Sequence, residues 1–123
     1  MKQPPPESIE RAKKMTFASI YPLYLARIEK NGKTEKELQQ VIKWLTGYDA
    51  KKLKDLIKDE ATFDTFVKKA KFHPNAHLIT GTVCGYRVEE IKDPFMRKLR
   101  QLEKLIDELA RGKKMQSILR SGD

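Results

Sequence analysis

The sequence predicts an all-α fold, a compact bundle of five to seven short helices, and three observations carry that reading. Apolar residues recur at three- and four-residue spacing along most of the chain, Ser, Thr or Asp stands ahead of most such runs, and Gly or Pro closes them. The 123 residues are read as a flexible arm over 1–7 and a single helical domain over 8–123, too little chain for a two-domain enzyme.

Pro4, Pro5 and Pro6 favour extended polyproline II and offer no backbone N–H, which defines the arm. Ser8 is placed to cap a short polar helix. Phe17, Ile20, Tyr21, Tyr24 and Ile28 then share one helical face, and Asn31-Gly32 supplies a left-handed stop. Pro22 leaves two starts open: near Ser19 with proline in the first turn, or at Thr16 with a kink at the proline. Thr34 followed by Glu37 is a capping-box pattern ahead of Leu38, Val41, Ile42 and Leu45. Thr46-Gly47-Tyr48 breaks that helix, Asp49 caps the next, and Leu53, Leu56 and Ile57 form its inner stripe. Thr62 opens a further helix with Phe63, Phe66, Val67 and Ala70 on one face. It ends before His73-Pro74, because the residue before proline resists helical geometry.

Residues 78–88 suit a short hairpin or turn as well as a helix, since β-branched residues alternate there with Gly81 and Gly85. A lone hairpin is marginal, and the chain has no other strand-like run. The expectation is therefore a short helix capped by Asn75, a turn, and a brief helical stretch through Ile91. Asp93-Pro94 is a cap followed by a first-turn proline, and Phe95, Leu99, Leu102, Ile106 and Leu109 repeat at helical spacing before Gly112 stops the helix. That stripe covers about two heptads, which marks it as core rather than coiled coil. The last piece, Lys113 to Arg120, carries Met115, Ile118 and Leu119 and either folds back on the body or swaps onto a second subunit. The expected core is Phe17, Tyr24, Leu38, Val41, Leu45, Leu53, Ile57, Phe66, Leu99, Leu102 and Ile106.

Twenty-six Lys and Arg against 17 Asp and Glu leave a formal charge of +9, which favours acidic partners or serves solubility. No apolar stretch matches a signal peptide or a membrane span, and a single Cys84 suits a reducing compartment, so the expected location is cytoplasmic, with no membrane association.

Each candidate chemistry has a structural counterpart. His73, His77 and Cys84 carry metal-ligating atoms, but Pro74 spoils their helical relation, so no metal is expected and they read as loop histidines and a buried thiol. Thr80, Gly81 and Arg87 form a glycine-bearing segment able to offer N–H groups and a charge to an anion or ligand, with Glu90 and Glu89 as neighbouring carboxylates. Their spacing matches no common nucleotide motif, and turns account for the glycines equally well. The helices flanking Thr46-Gly47-Tyr48 resemble a helix-turn-helix, with Lys51 and Lys54 on the second. Lys98, Arg100, Lys104 and Lys114 give the C-terminal helix a basic face for phosphates, against the plainer reading of a solvated face on which Arg100 repels Lys104 and Glu103 repels Asp107.

Met15 to Tyr24, Trp44-Leu45-Thr46-Gly47-Tyr48 and Leu78-Ile79-Thr80-Gly81 with Val83-Cys84-Gly85 occur in this order. They are followed by Val88-Glu89-Glu90-Ile91 with Asp93-Pro94, and by Lys104 to Ala110 with Gly112-Lys113. Together these segments resemble a bacterial domain-of-unknown-function family, the one numbered two thousand two hundred, from Met15 to Arg120. The resemblance implies a small, stand-alone bacterial cytoplasmic protein and brings no activity, ligand or catalytic residue with it.

With no catalytic constellation and no cofactor indicated, the first functional expectation is a non-enzymatic interaction module. Nucleic-acid binding through the paired helices and the basic C-terminal helix is the second, and a small ligand-binding protein or enzyme built on residues 80–90 the third. A symmetric dimer through the C-terminal helix or tail would add burial to a chain somewhat poor in apolar residues.

Overall fold

The computed structural model describes residues 2–121. Seven α-helices lie among them: α1 (Pro6–Lys14), α2 (Phe17–Glu29), α3 (Glu35–Thr46), α4 (Ala50–Lys58), α5 (Phe63–Lys69), α6 (Pro94–Ala110) and α7 (Met115–Ile118). The only sheet among the described residues is a hairpin of β1 (Thr82–Val83) and β2 (Tyr86–Arg87). The chain is an all-α bundle with one small β insert. None of its helices among the described residues is long and apolar enough to cross a membrane.

Local chemistry sets most boundaries. Thr34 and Glu37 complete a reciprocal capping box, and Asp49, Thr62 and Asp93 each accept the N–H three residues on. Gly47 and Gly112 close α3 and follow α6 at φ 80° and 87°, a region that costs a residue with a Cβ about 1–2 kcal/mol. Of the two starts open for α2, the one at Thr16 is realised: Thr16 accepts from Ser19, and Pro22 rides on the exposed side of the helix. The first helix begins at Pro6, two residues before the expected Ser8 cap, since a proline already has helical φ and its missing N–H is no loss in a first turn. Ahead of it, Gln3 bonds the Glu90 carbonyl at 2.8 Å and the Lys92 N–H at 2.9 Å.

Thr16 and Thr62 form an antiparallel bridge in which the Phe17 N–H reaches the Ala61 carbonyl and the Phe63 N–H reaches that of Met15. Helices α2 and α5 therefore start side by side. Phe17 is thereby seated among Tyr21, Phe63 and Phe66, with ring centroids 5.3, 6.0 and 4.7 Å away. The last carbonyls of α3 find donors in the connector that follows α5, Leu45 from His73 and Thr46 from Lys71. Every expected core residue is buried except Ile57, which is half-buried, because α4 turns Leu53 and Leu56 inward instead.

The segment from 76 to 91 departs from the expected helix–turn–helical stretch. One 3-10 turn spans Ala76–Leu78, the hairpin follows, and a second 3-10 turn spans Val88–Glu90. Cys84 and Gly85, with φ 52° and 82°, make the tight turn whose twist suits a two-residue hairpin. A third strand is unnecessary because Ile79, Val83, Val88 and Ile91 are buried, with the hairpin and second 3-10 turn lying on α6. Lys104 of α6 also donates to the Thr82 carbonyl at 3.0 Å. The final piece folds back on the same body: Ile118 is fully buried, and Arg120 makes two hydrogen bonds, of 2.7 and 2.8 Å, to the buried Glu108 carboxylate.

Candidate functional site

Helices α2 and α6 run parallel, since Tyr24 meets Glu103 and Arg27 meets Asp107. That register, invisible in either helix alone, gathers a polar cluster at their junction with the hairpin. The Tyr24 hydroxyl donates to Glu103 Oε2 at 3.1 Å, and Arg100 Nη1 donates to Oε1 of the same carboxylate. The hairpin turn brings Cys84 Sγ to 3.5 Å from Arg100 Nη1 and 3.9 Å from Glu103 Oε1. Arg100 and Glu103 are only 18% and 19% exposed, so the pair is largely screened from water.

A cavity of about 290 Å³ adjoins this cluster between α1, α2, α5 and α6. Met15, Ile20, Phe63, Met96 and Leu99 give it apolar walls, Tyr24, Arg100 and Glu103 a polar end, and Ser8 and Arg11 its rim. Arg100 Nε is the one buried side-chain polar atom among the described residues that bonds to no protein group. A buried guanidinium N–H without an acceptor is costly unless something else fills that role.

Burial and the Glu103 charge hold the Tyr24 hydroxyl well above its usual pKa. The Cys84 thiol is likewise pushed up by burial and by Glu103, with Arg100 and Arg27 acting in the opposite sense. Neither group is a ready nucleophile or base near neutral pH. The residue Cys84 is exposed, not the buried thiol expected, because the hairpin turn carries it outward. Burial also pushes Tyr21 up to about 12 and raises Tyr48. The folded protein thus keeps phenolic protons that the unfolded chain gives up at about pH 10, and stability present below pH 10 falls as pH rises through the higher native values. Absorbance at 295 nm should show Tyr21, Tyr24 and Tyr48 ionising together with loss of near-ultraviolet dichroism above pH 10. Ionisation of all three with the dichroism intact would contradict these environments.

The basic residues singled out by sequence do not share one surface. Lys51 and Lys54 are exposed on α4, whose inner side packs on α2. Lys98 is exposed with Nζ 5.3 Å from the centre of the Phe72 ring, and Lys114 caps α7 in solvent. Arg100 and Lys104 are not part of a solvated face. Instead of repelling each other they pair at i,i+3 with Glu103 and Asp107, whose expected mutual repulsion is relieved in the same way. The helical period alone does not reveal that the hairpin covers these positions.

In the 80–90 segment the anion-binding groups are engaged within the chain. The Gly81 N–H donates to Glu89 Oε1 at 3.0 Å, and Arg87 lies 4.0 Å from the same carboxylate. A Cβ on Gly81 would stand 3.1 Å from Lys104 Cε, so this glycine admits the lysine that ties the hairpin to α6. Thr80 is exposed, and half-buried Glu90 offers its carbonyl to Gln3. His73 stacks on Trp44 at 4.2 Å and accepts the Asn75 N–H, while His77 bonds the Pro74 carbonyl. Sequence reading missed Glu103, Asp107 and Arg27 as site residues and placed Tyr24 in the core or a shallow pocket between helices, with no partner for its hydroxyl. The available signal was that a core tyrosine needs a partner for its hydroxyl.

Comparison with known proteins agrees on family and fold. The crystal structure of uncharacterized protein SP1917 is similar, with a TM-score of 0.84 and 37% identity over 89% of this chain and 91% of that one. No curated protein matches. A family model described as "Uncharacterized protein conserved in bacteria (DUF2200)" matches residues 11–120, and the chain belongs to that family.

Proposed function

We propose that this protein is a non-catalytic binding module that holds a small monoanion with an apolar body in the cavity between α1, α2, α5 and α6. The observation that carries this reading is Arg100 Nε, buried and without a protein acceptor, on a residue that lines a cavity otherwise walled by Met15, Ile20, Phe63, Met96 and Leu99. Small-ligand sites have this composition: mostly apolar walls and a few convergent polar groups. At about 290 Å³ the cavity lies near the lower end of the ~300–1,000 Å³ range of such sites. Arg11 and Arg100 outnumber Glu103 by one charge, which selects an anion over a neutral or cationic ligand. Binding suits the cluster better than catalysis, because its thiol and phenol are both held protonated and its carboxylate already takes three hydrogen bonds. The single thiol supports a cytoplasmic setting.

Hexanoate, hexanol and hexylamine are probes that share a chain and differ in head group. Hexanoate should produce saturable NMR shifts of the Met15 and Met96 methyls, with hexylamine at least roughly tenfold weaker, as expected from losing a charge-assisted hydrogen bond. No saturable shift with hexanoate, or equal binding of the amine, would overturn the proposal.

A further inference from the structure

We infer that the end of the bundle where α2 and α6 terminate together binds the phosphate backbone of nucleic acid, without reading its bases. Tyr24 meets Glu103 and Arg27 meets Asp107, so the two helices advance in step and the loops that follow them, 30–34 and 111–114, emerge at the same end. Gly32 and Gly112, at φ 79° and 87°, turn both loops. Arg27, Lys30 and Lys33 come from one helix end, and Arg111, Lys113 and Lys114 from the other. Facing these six cations are five carboxylates, Glu29, Asp107 and Glu108 with Glu35 and Glu37 in the first turn of α3.

The buried carboxylates are shared rather than matched. Asp107, whose side chain is 6% exposed, takes Arg27, Arg111 Nε at 3.1 Å and Lys104 Nζ at 3.9 Å, and Glu108 takes Lys113 at 3.5 Å as well as Arg120. One carboxylate divided among three cations leaves positive charge over. The Arg111 and Arg27 side chains remain 77% and 48% exposed. Lys30, Lys33 and Lys114 make no ion pair among the described residues; Lys30 and Lys114 are exposed and Lys33 half-buried. Cations at two adjacent helix C-termini also offset the negative ends of the helix dipoles. With Lys36, and with Lys104 and Arg120 on the two buried carboxylates, this end holds nine cations against five carboxylates and two half-charges, so positive charge is left over.

The composition of this end points to phosphate rather than to a protein. Protein interfaces are depleted in lysine and anchored by aromatic side chains, whereas this end is lysine-rich and none of its six cations neighbours an aromatic residue in sequence. The two helices that start at this end, α3 and α7, pack back on α6 among the described residues, so recognition is of charge spacing and not of base edges. This assignment is independent of the cavity proposed above and differs from the helix-turn-helix reading, which would place contact on Lys51 and Lys54.

Fluorescence anisotropy with a labelled mixed-sequence DNA duplex, and with an RNA duplex, tests the inference across a salt series. About three phosphate contacts predict a slope near −3 in log affinity against log salt, unchanged when the sequence is scrambled. The double variant Lys30→Glu/Lys114→Glu, altering two exposed side chains, should keep the wild-type melting temperature and weaken binding at least roughly tenfold at low salt. The control Lys51→Glu/Lys54→Glu changes net charge equally at a different place and should weaken it by less than about threefold. Absence of salt-dependent binding to either duplex, binding only to phosphatidylserine vesicles, or equal losses from the two double variants would overturn it.

Discussion

Replacing Phe17 with alanine should cost about 3–5 kcal/mol of folding stability, the largest single-residue loss expected in this fold. Phe17 is fully buried, and its ring is surrounded by Tyr21, Phe63 and Phe66. Its backbone forms half of the bridge that aligns the starts of α2 and α5. Two terms therefore add: the lost transfer energy of the ring, and a void that α2 and α5 cannot close without disturbing their caps. With a urea slope of about 1.5 kcal/mol/M, the unfolding midpoint should fall by roughly 2–3 M. Phe17→Leu, which keeps most of the volume, should cost only about 1 kcal/mol. A loss below about 1 kcal/mol for the alanine variant would mean that the aromatic cluster is not the packing centre.

The second large effect belongs to Glu103. Glu103→Ala leaves the largely buried Arg100 guanidinium without its carboxylate and the Tyr24 hydroxyl without its acceptor, and should cost about 3 kcal/mol. Glu103→Gln retains an oxygen for Tyr24 but loses the ion pair, and should cost roughly half as much. The double variant Arg100→Met/Glu103→Leu removes both charges and should recover most of the loss, since the penalty of the single change is the stranded charge more than the missing attraction. A double variant as unstable as Glu103→Ala would show that the pair contributes directly and that desolvation is minor.

The helices were legible because their signals are local. Thr34 with Glu37, Asp49, Thr62 and Asp93-Pro94 act within one turn, and Gly47 and Gly112 act on their own backbone, so no tertiary knowledge is needed to read them. The segment from 76 to 91 was not legible in the same way. Its strands are two residues each, too short to show a period, and they persist because α6 receives Val83 and Val88 and Lys104 holds Thr82. The site was the least legible part. Tyr24, Cys84, Arg100 and Glu103 come from three elements and meet only through the parallel register of α2 and α6 and the hairpin lying across them. Arg100 and Lys104 flank the apolar stripe of α6, and a flanking position becomes solvated or covered according to what the fold lays over it.

The most direct test of the cavity's role is the hexanoate affinity of Arg100→Lys compared with the unaltered protein. Lysine keeps a positive charge beside Glu103 but has no Nε–H, so the residue loses the one buried donor that has no protein acceptor among the described residues. Affinity should fall at least roughly tenfold while the melting temperature changes little and the Met15 and Met96 methyls still report residual binding. Unchanged affinity in that variant would show that Arg100 is a structural ion-pair partner alone and that the cavity is not an anion site.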